Sequence, residues 1–275
     1  MHWILQENLF KESEWDNLVG TLERFNLPYS VHKVVPFVGE LIPEPEPRAE
    51  KVICFGSYSM RHAAKHFGWS PGVYDLEPVT FEVQREHWGG LMLNHDSQVM
   101  AFKDVTWDEQ HGDLRFIRPI KDSKVFAGKV YDWEEFRQWQ RNVCVLEHDY
   151  GDSLTKDTIV QVSTPKKIFA EYRFWVVDAQ AVTCSLYKRG DQVIYSSEVD
   201  NRVKKFVGYL LRHGDVSLSM RNNGWQPHRA YVLDVADTPD GFKIVEINTI
   251  NAAGFYAADV QKLVMALENL ERFTR

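Results

Sequence analysis

The chain is poor in cysteine, short of positive charge and without one long apolar run, and each shortage removes a class of protein. Its three cysteines, Cys54, Cys144 and Cys184, are an odd number in 275 residues. They form no C-x-x-C pair and have no companion histidine spacing, which excludes a disulfide framework and a zinc site. Each stands among apolar neighbours (VICF, NVCVL, VTCSL) and reads as a small hydrophobe inside a strand, in a reducing, cytoplasmic setting. No apolar stretch approaches the ~18 residues of a membrane helix, and the opening MHWILQENLF lacks the regions of a signal peptide. No membrane partner is expected. Lys and Arg number 32 against 39 Asp and Glu, a formal net charge of −7, which argues against a nucleic-acid coat and against nucleic acid as a partner.

What is present is the material of an ordinary folded protein. Hydrophobic residues make up 44% and aromatic residues 13%, and the length suits about two domains. The opening reads as β-α-β-β-α. WILQE (3–7) is a strand, and Ser13 with Asp16 starts a helix whose Trp15, Leu18, Val19 and Leu22 recur at helical spacing. Two further strands follow at 30–36 and in KVICF (51–55), then a helix from Met60 to Phe67 closed by Gly68. Residues 70–110 show no sustained period. Beyond them DLRFIRPI (113–120), NVCVLE (142–147) and TIVQVS (158–163) read as strands, with a helix capped by Asp132 and Glu135 between the first two. IFAEYRFWVV and AVTCSLY form a hairpin across 178–180. A helix runs from Asn201 to His213, AYVLDVA (230–236) and FKIVEIN (242–248) form a second hairpin across TPDG, and Phe255–Phe273 is the closing helix. The sum is an α+β chain with an α/β front.

The last hairpin carries the most chemistry. Glu246 and Asn248 are two apart and share one strand face, and the turn brings Asp234 of the partner strand alongside. Two carboxylates and an amide oxygen make a hard, oxygen-only set suited to Mg²⁺. The alternative is an acid pair neutralised by Arg or Lys. A second group is basic: Arg118, Lys121 and Lys124 bracket the turn RPIKDSK, Arg173 shares a strand face with Glu171, and Lys188 and Arg189 end a strand. Cations on strand ends and turns of an acidic chain point to one polyanion cleft, and phosphates on Mg²⁺ would satisfy both groups. Other signals are weaker. His62 and His66 lie one helical turn apart without an evident third ligand, Glu147, His148 and Asp149 fit a loop rim, KRGD (188–191) inverts a ligase-like order, and GSYS (56–59) could offer backbone N–H groups to an anion.

The order RPI, DSK, VQVS, then E-x-R on a long strand, then D and E-x-N near the C-terminus resembles the ATP-grasp superfamily. It is most similar to a phage and bacterial clade with Arg and Lys exchanged at nucleotide-contacting positions. The resemblance covers about residues 113–260. It implies an ATP-grasp fold, two α+β lobes clasping ATP, preceded by a small α/β domain: residues 1–110 in front, then 111–275 with lobes of about 111–163 and 164–275. It implies Asp234, Glu246 and Asn248 as Mg²⁺ ligands, and Arg118, Lys121, Lys124, Gln161, Val162, Glu171 and Arg173 as nucleotide contacts, with Arg173, Lys188 and Arg189 on the transferred phosphate. Ser57, Asn251, Gly254 and Phe255 would approach the acceptor. The turn KDSKVFAGK lacks the glycine run of many relatives, so its phosphate contacts would come from side chains.

The activity implied is an ADP-forming carboxylate–amine ligase that uses ATP and Mg²⁺ and passes through an acyl-phosphate, acting on small-molecule or peptide carboxylates and amines. Such chemistry needs alignment and charge neutralisation more than a protein nucleophile. A nucleotide-binding sensor or assembly module is the competing expectation, and a nucleotidyltransferase that carries AMP on Lys188 is a third. A homodimer is a reasonable expectation for a chain of this size.

Overall fold

The computed structural model describes residues 1–7, 13–36, 38–46, 51–108, 113–121, 125–145, 154–213 and 225–273. The fold is mixed α+β. Contacts divide the chain into two compact units, Met1–Leu76 with Ile168–Arg275, and Glu77–Lys167.

The first unit holds two sheets. The N-terminal sheet contains β1 (His2–Gln6), β2 (Tyr29–Val34), β3 (Leu41–Ile42), β4 (Lys51–Phe55) and β5 (Ser70–Gly72), in the order β3-β2-β1-β4-β5. β1, β2, β4 and β5 run parallel. Helix α1 (Ser13–Arg24) lies between β1 and β2 in the chain and α2 (Met60–Phe67) between β4 and β5, the crossover pattern of parallel strands. Both faces are covered, so the strands read as continuous apolar runs. Trp3, Leu5, Ile53 and Phe55 pack on one side with Leu18 and Leu22 of α1. Ile4, Val52 and Cys54 pack on the other with Met60, Ala63 and Ala64 of α2. Gly68 ends α2 at φ 66°, and its N–H reaches the last carbonyls of the helix.

The second unit, Glu77–Lys167, contains β6 (Gln98–Ala101), β7 (Arg115–Pro119), β8 (Lys129–Tyr131) and β9 (Ile159–Ser163) in the order β6-β9-β7-β8. Its helices are α3 (Phe81–Trp88) and α4 (Trp133–Cys144). Phe102, Tyr131, Phe136 and Trp139 interlock in its core, Phe102 and Trp139 at 4.7 Å in an edge-to-face pair.

The C-terminal sheet, back in the first unit, is antiparallel. β10 (Ala170–Val177), β11 (Gln180–Arg189), β12 (Gln192–Ser196), β13 (Ala230–Thr238) and β14 (Gly241–Asn248) lie in the order β12-β11-β10-β13-β14. Asp178 and Ala179, at φ 50° and 58°, make the two-residue turn between β10 and β11. On one face Trp175, Val177, Ala230 and Val232 pack with Val260, Leu263, Val264 and Leu267 of α6 (Val260–Arg272), in the same core as Trp3 and Phe55. On the other face lies α5 (Asn201–His213), whose Phe206 meets Phe242 at 5.8 Å between ring centroids.

Four expectations need correction. NVCVLE is no strand: Asn142, Val143 and Cys144 finish α4, because Val143 continues the buried stripe of Phe136 and overrides the local β-branched preference. Cys144 accordingly sits half-buried at a helix end, and Cys184 is half-buried in β11; only Cys54 is a fully buried strand residue. The last helix begins at Val260, where the Asp259 side chain accepts the Lys262 N–H at 3.0 Å, and not at Phe255. Residues 70–110, which show no period, hold β5, α3 and β6. Glu147, His148, Asp149 and Gly214 lie outside the described residues.

One side chain ties the two sheets of the first unit together. Asn251 donates through Nδ2 to the Cys54 carbonyl at 2.6 Å and accepts the Tyr74 N–H on Oδ1 at 2.7 Å. Its own carbonyl accepts the Gly56 N–H at 2.9 Å. Asn251→Ala leaves one buried acceptor and one buried donor without these partners, so it should lower the unfolding free energy by about 2–4 kcal/mol. Urea denaturation followed by circular dichroism measures this, and a change under ~1 kcal/mol would show that the sheets are held otherwise.

Candidate functional site

The β13–β14 hairpin places its acids by register. Its turn closes with the Thr238 hydroxyl donating to the Gly241 carbonyl at 2.7 Å and with Gly241 at φ 89°, a left-handed conformation that suits glycine. Asp234 then stands directly opposite Glu246, and Asn248 opposite Val232. A β-bulge falls just beyond, between Asp234 and Val235. Bulges of this kind gather beside sites because they re-aim side chains. The Asn248 amide donates to Glu246 Oε1 at 3.1 Å and to Asp234 Oδ2 at 3.3 Å, so the three side chains converge.

Asp234 also meets a cation. It is 1% exposed, and Arg173 stands opposite it on β10. Arg173 Nε donates to Oδ1 at 2.8 Å and Nη2 to Oδ2 at 2.7 Å, a bidentate ion pair. Burial pushes the Asp234 carboxyl up, against the pull of the Arg173 guanidinium. Burial acts to lower Arg173, but the Asp234 carboxylate overrides it and raises the guanidinium further. The two directions conflict, and the geometry decides: both carboxylate oxygens accept from Arg173, which leaves none for a proton. The pair is ionised.

Aromatic rings enclose the pair. The guanidinium lies 4.6 Å from the Tyr256 ring centroid and 5.6 Å from that of Tyr187. Tyr187, Tyr256 and Tyr195 stack in a row at 5.3 and 4.8 Å. Tyr256 is held at φ 50°, a conformation costly for a bulky residue, and strain of this kind marks functional sites. The Tyr187 hydroxyl donates to Glu171 Oε2 at 2.8 Å, and Lys188 Nζ reaches Glu171 Oε1 at 3.0 Å. Burial, Asp234 and Glu171 together push the Tyr187 phenol up, so it stays protonated and donates. Glu171, Arg173, Lys188, Asp234, Glu246 and Asn248, all singled out from the sequence, meet in this patch. The three tyrosines are absent from the sequence reading. A signal exists for two of them, since Tyr187 adjoins Lys188 and Tyr256 follows the E-x-N strand by a short loop.

The remaining candidates divide between the units. Arg189 is exposed at the end of β11. Asn251 and Phe255 are buried, the first in the hydrogen bonds given above and the second stacked on Phe55 at 6.0 Å, and Gly254 lies half-buried between them. The Ser57 N–H donates to Gln6 Oε1 at 2.6 Å, so this amide is engaged within the fold. In the second unit Arg118 of β7 pairs with Gln161 of β9, and Pro119 with Val160. Gln161 and Val162 are buried, and Gln161 Oε1 accepts from Ser97 at 3.4 Å. Lys121 is exposed, and Lys124 lies outside the described residues. A Cβ on Gly128 would come within 2.7 Å of the Phe116 ring and 3.1 Å of Arg118 Cβ, so the loop before β8 crosses β7 where only glycine fits. His62 and His66 line a surface groove of about 440 Å³ with Glu40 and Glu44.

The donors at the hairpin fit a hard divalent cation. Among the described residues no three His, Cys, Asp or Glu side chains gather closely enough to hold a metal. The set here is two carboxylates and one amide oxygen, which leaves further positions of an octahedral ion to phosphate and water, the usual manner of Mg²⁺.

The chain has recognisable relatives. Residues 56–267 match a family described as an ATP-grasp domain, the third family of its clade. Among solved structures, the fold is similar to D-cycloserine synthetase DcsG, with a TM-score of 0.57 at 12% identity over 99% of each chain. It is similar to the D-alanine–D-alanine ligase of Bacillus anthracis complexed with ATP, with a TM-score of 0.55 at 12% identity over 99% of this chain and 98% of that one. It is also similar to the ATP-grasp ligase PsnB complexed with a minimal precursor, with a TM-score of 0.51 at 13% identity over 98% of each. No curated protein matches by sequence.

Asp234→Leu strands a buried guanidinium and should lower the unfolding free energy by about 3–5 kcal/mol. The double variant Arg173→Met with Asp234→Leu should recover most of that loss. A thermodynamic cycle from guanidinium unfolding tests the coupling, and additive single effects would show that the two side chains act separately.

Proposed function

The chain belongs to the ATP-grasp family and has its fold, and on that premise we propose that it is an ATP- and Mg²⁺-dependent, ADP-forming ligase that joins a carboxylate to an amine. The observation that supports this most is the convergence of Asp234, Glu246 and Asn248 beside the Arg173–Asp234 pair. In this reading Asp234, Glu246 and Asn248 hold Mg²⁺, which supplies neutralisation of phosphate charge when bound. Arg118, Lys121 and Lys124 contact the nucleotide phosphates, and Gln161 and Val162 the adenine edge. Residues 111–163 and 164–275 are the two lobes, and residues 1–110 the front domain. The fold neighbours named as D-alanine–D-alanine ligase, D-cycloserine synthetase and PsnB point the same way for substrate: a small-molecule or peptide carboxylate and an amine, met in the cytoplasm by a protein of phage or bacterial type.

The proposed reaction has two steps. A substrate carboxylate oxygen attacks the γ-phosphorus of ATP, ADP leaves, and the acyl-phosphate so formed is opened by an amine that expels phosphate. The chain's own residues position and neutralise. Arg173 is fixed by Asp234 and by two rings, so its charge is aligned before substrate arrives. Lys188, held by Glu171, supplies a second cation at the same patch, and Arg189 a third on the exposed strand end. Asn251 and Phe255 have structural tasks within the fold, which leaves Gly254 and the neighbouring Tyr256 nearer the role of acceptor contact.

An ADP-coupled assay with ATP, MgCl₂ and a panel of amino acids and dipeptides tests the proposal. Turnover should yield ADP and phosphate, and Glu246→Gln should lower it by about a hundredfold. ATP bound without turnover would favour the sensor or assembly reading, and pyrophosphate release with AMP on Lys188 the nucleotidyltransferase. Equal turnover by wild type and Glu246→Gln would remove the metal assignment.

A further inference from the structure

The C-terminal sheet has an edge that its neighbours do not close. β12 is the outer neighbour of β11, but its register covers only Leu186 to Arg189. The first half of β11, residues 180–184, therefore presents alternate N–H and C=O groups outward. No backbone hydrogen bond from another described segment reaches residues 181–184 on that side. Protein sheets rarely leave such an edge open, because it templates further strand pairing. Here it forms the floor of the groove of about 830 Å³ that runs between α5 and the start of α6.

The walls of that groove have two further properties. Gly208 sits well inside α5, where glycine is the least favourable residue after proline. Its missing side chain faces the groove, and an added Cβ would meet only the Arg212 guanidinium, at 3.6 Å. The helix thus carries a notch in the wall beside the open strand. The lining is also basic. Lys204 and Arg212 come from α5 and Lys262 from α6, against Asp178 at the hairpin and Asp259, which already pairs with Lys262 at 3.1 Å. In a chain of net charge −7 this local excess of cations stands apart.

We infer that this groove is a docking site for an extended acidic segment of a partner protein, which adds as a strand to the edge of β11. Backbone pairing along 180–184 supplies the register, as in other strand additions. Five residues span about 17 Å of strand, enough for a peptide of similar length to engage. Alternate side chains of the peptide would point toward Lys204 and Arg212 on one face and Lys262 on the other. Gly208 gives the close approach that a strand lying against α5 needs. The site is separate from the Arg173–Asp234 patch and does not depend on the ligase reading.

The test uses a fluorescein-labelled, capped nonapeptide of alternating glutamate and valine, titrated against the full chain by fluorescence anisotropy. Saturable binding is expected, with hydrogen exchange slowed at the amides of 180–184. The same peptide with lysine for glutamate, or with proline at alternate positions, should bind at least about tenfold more weakly. Gly208→Leu fills the notch while favouring the helix, so it should weaken binding by a similar factor with an unchanged circular dichroism spectrum. Lys204→Glu combined with Arg212→Glu should do the same. The proposal is overturned if no peptide binds at millimolar concentration, if the glutamate and lysine peptides bind alike, or if exchange slows elsewhere. It is equally overturned if 180–184 become protected without peptide as protein concentration rises, because the occupant is then a second copy of the chain.

Discussion

The bidentate contact between Arg173 and Asp234 is the interaction around which the C-terminal sheet is arranged. Both charges sit on central strands, at positions that are nearly sealed from water, where an unpaired ion would be expensive. Direct opposition in the β10–β13 register satisfies both, and it does so only in that register. A slip of one residue would turn Arg173 to the α5 face and leave Asp234 alone. The pair therefore selects the pairing as well as occupying it. It also marks a boundary on one face of the sheet. Trp175, Val177, Ala230 and Val232 beyond it are apolar and packed with α6, whereas Glu171, Glu246, Asn248 and Tyr187 on the other side are polar and form hydrogen bonds there.

That boundary explains how one sheet serves as both core and site. The apolar half anchors to the N-terminal sheet through α6 and through Asn251, so the polar half rests on a rigid support. Side chains that must act on phosphate gain from such support, because catalysis of phosphoryl transfer depends on alignment fixed in advance. The strained backbone at Tyr256 belongs to the same logic, since it holds a ring against the Arg173 guanidinium.

Much of this arrangement is legible in the residues, and the failures have physical reasons. Period-two spacing puts Glu246 and Asn248 on one face, and the Asp-Gly turn brings Asp234 to them. Glu171 and Arg173 follow from the same rule. What cannot be read is the pairing of Arg173 with Asp234, because it rests on which strands become neighbours across 61 residues of chain. The tyrosine row escapes for the same reason: Tyr187, Tyr195 and Tyr256 come from different elements and share no local spacing. Val143 misleads because a β-branched residue at the end of an amphipathic helix looks like part of a strand until the buried stripe of Phe136 is followed through it. Phe255 misleads in the opposite sense, since the apolar run begins before the capping Asp259 that starts the helix. The segment 70–110 is built from short pieces, none long enough to show a period.

If the hairpin acids seat a cation that accompanies the nucleotide, crystals grown with a non-hydrolysable ATP analogue and MnCl₂ will show it directly through the anomalous signal of manganese. The expected result is a peak bonded to side-chain oxygens of Asp234, Glu246 or Asn248 and to the analogue's phosphates. A bound analogue with manganese absent from these three residues would contradict that assignment.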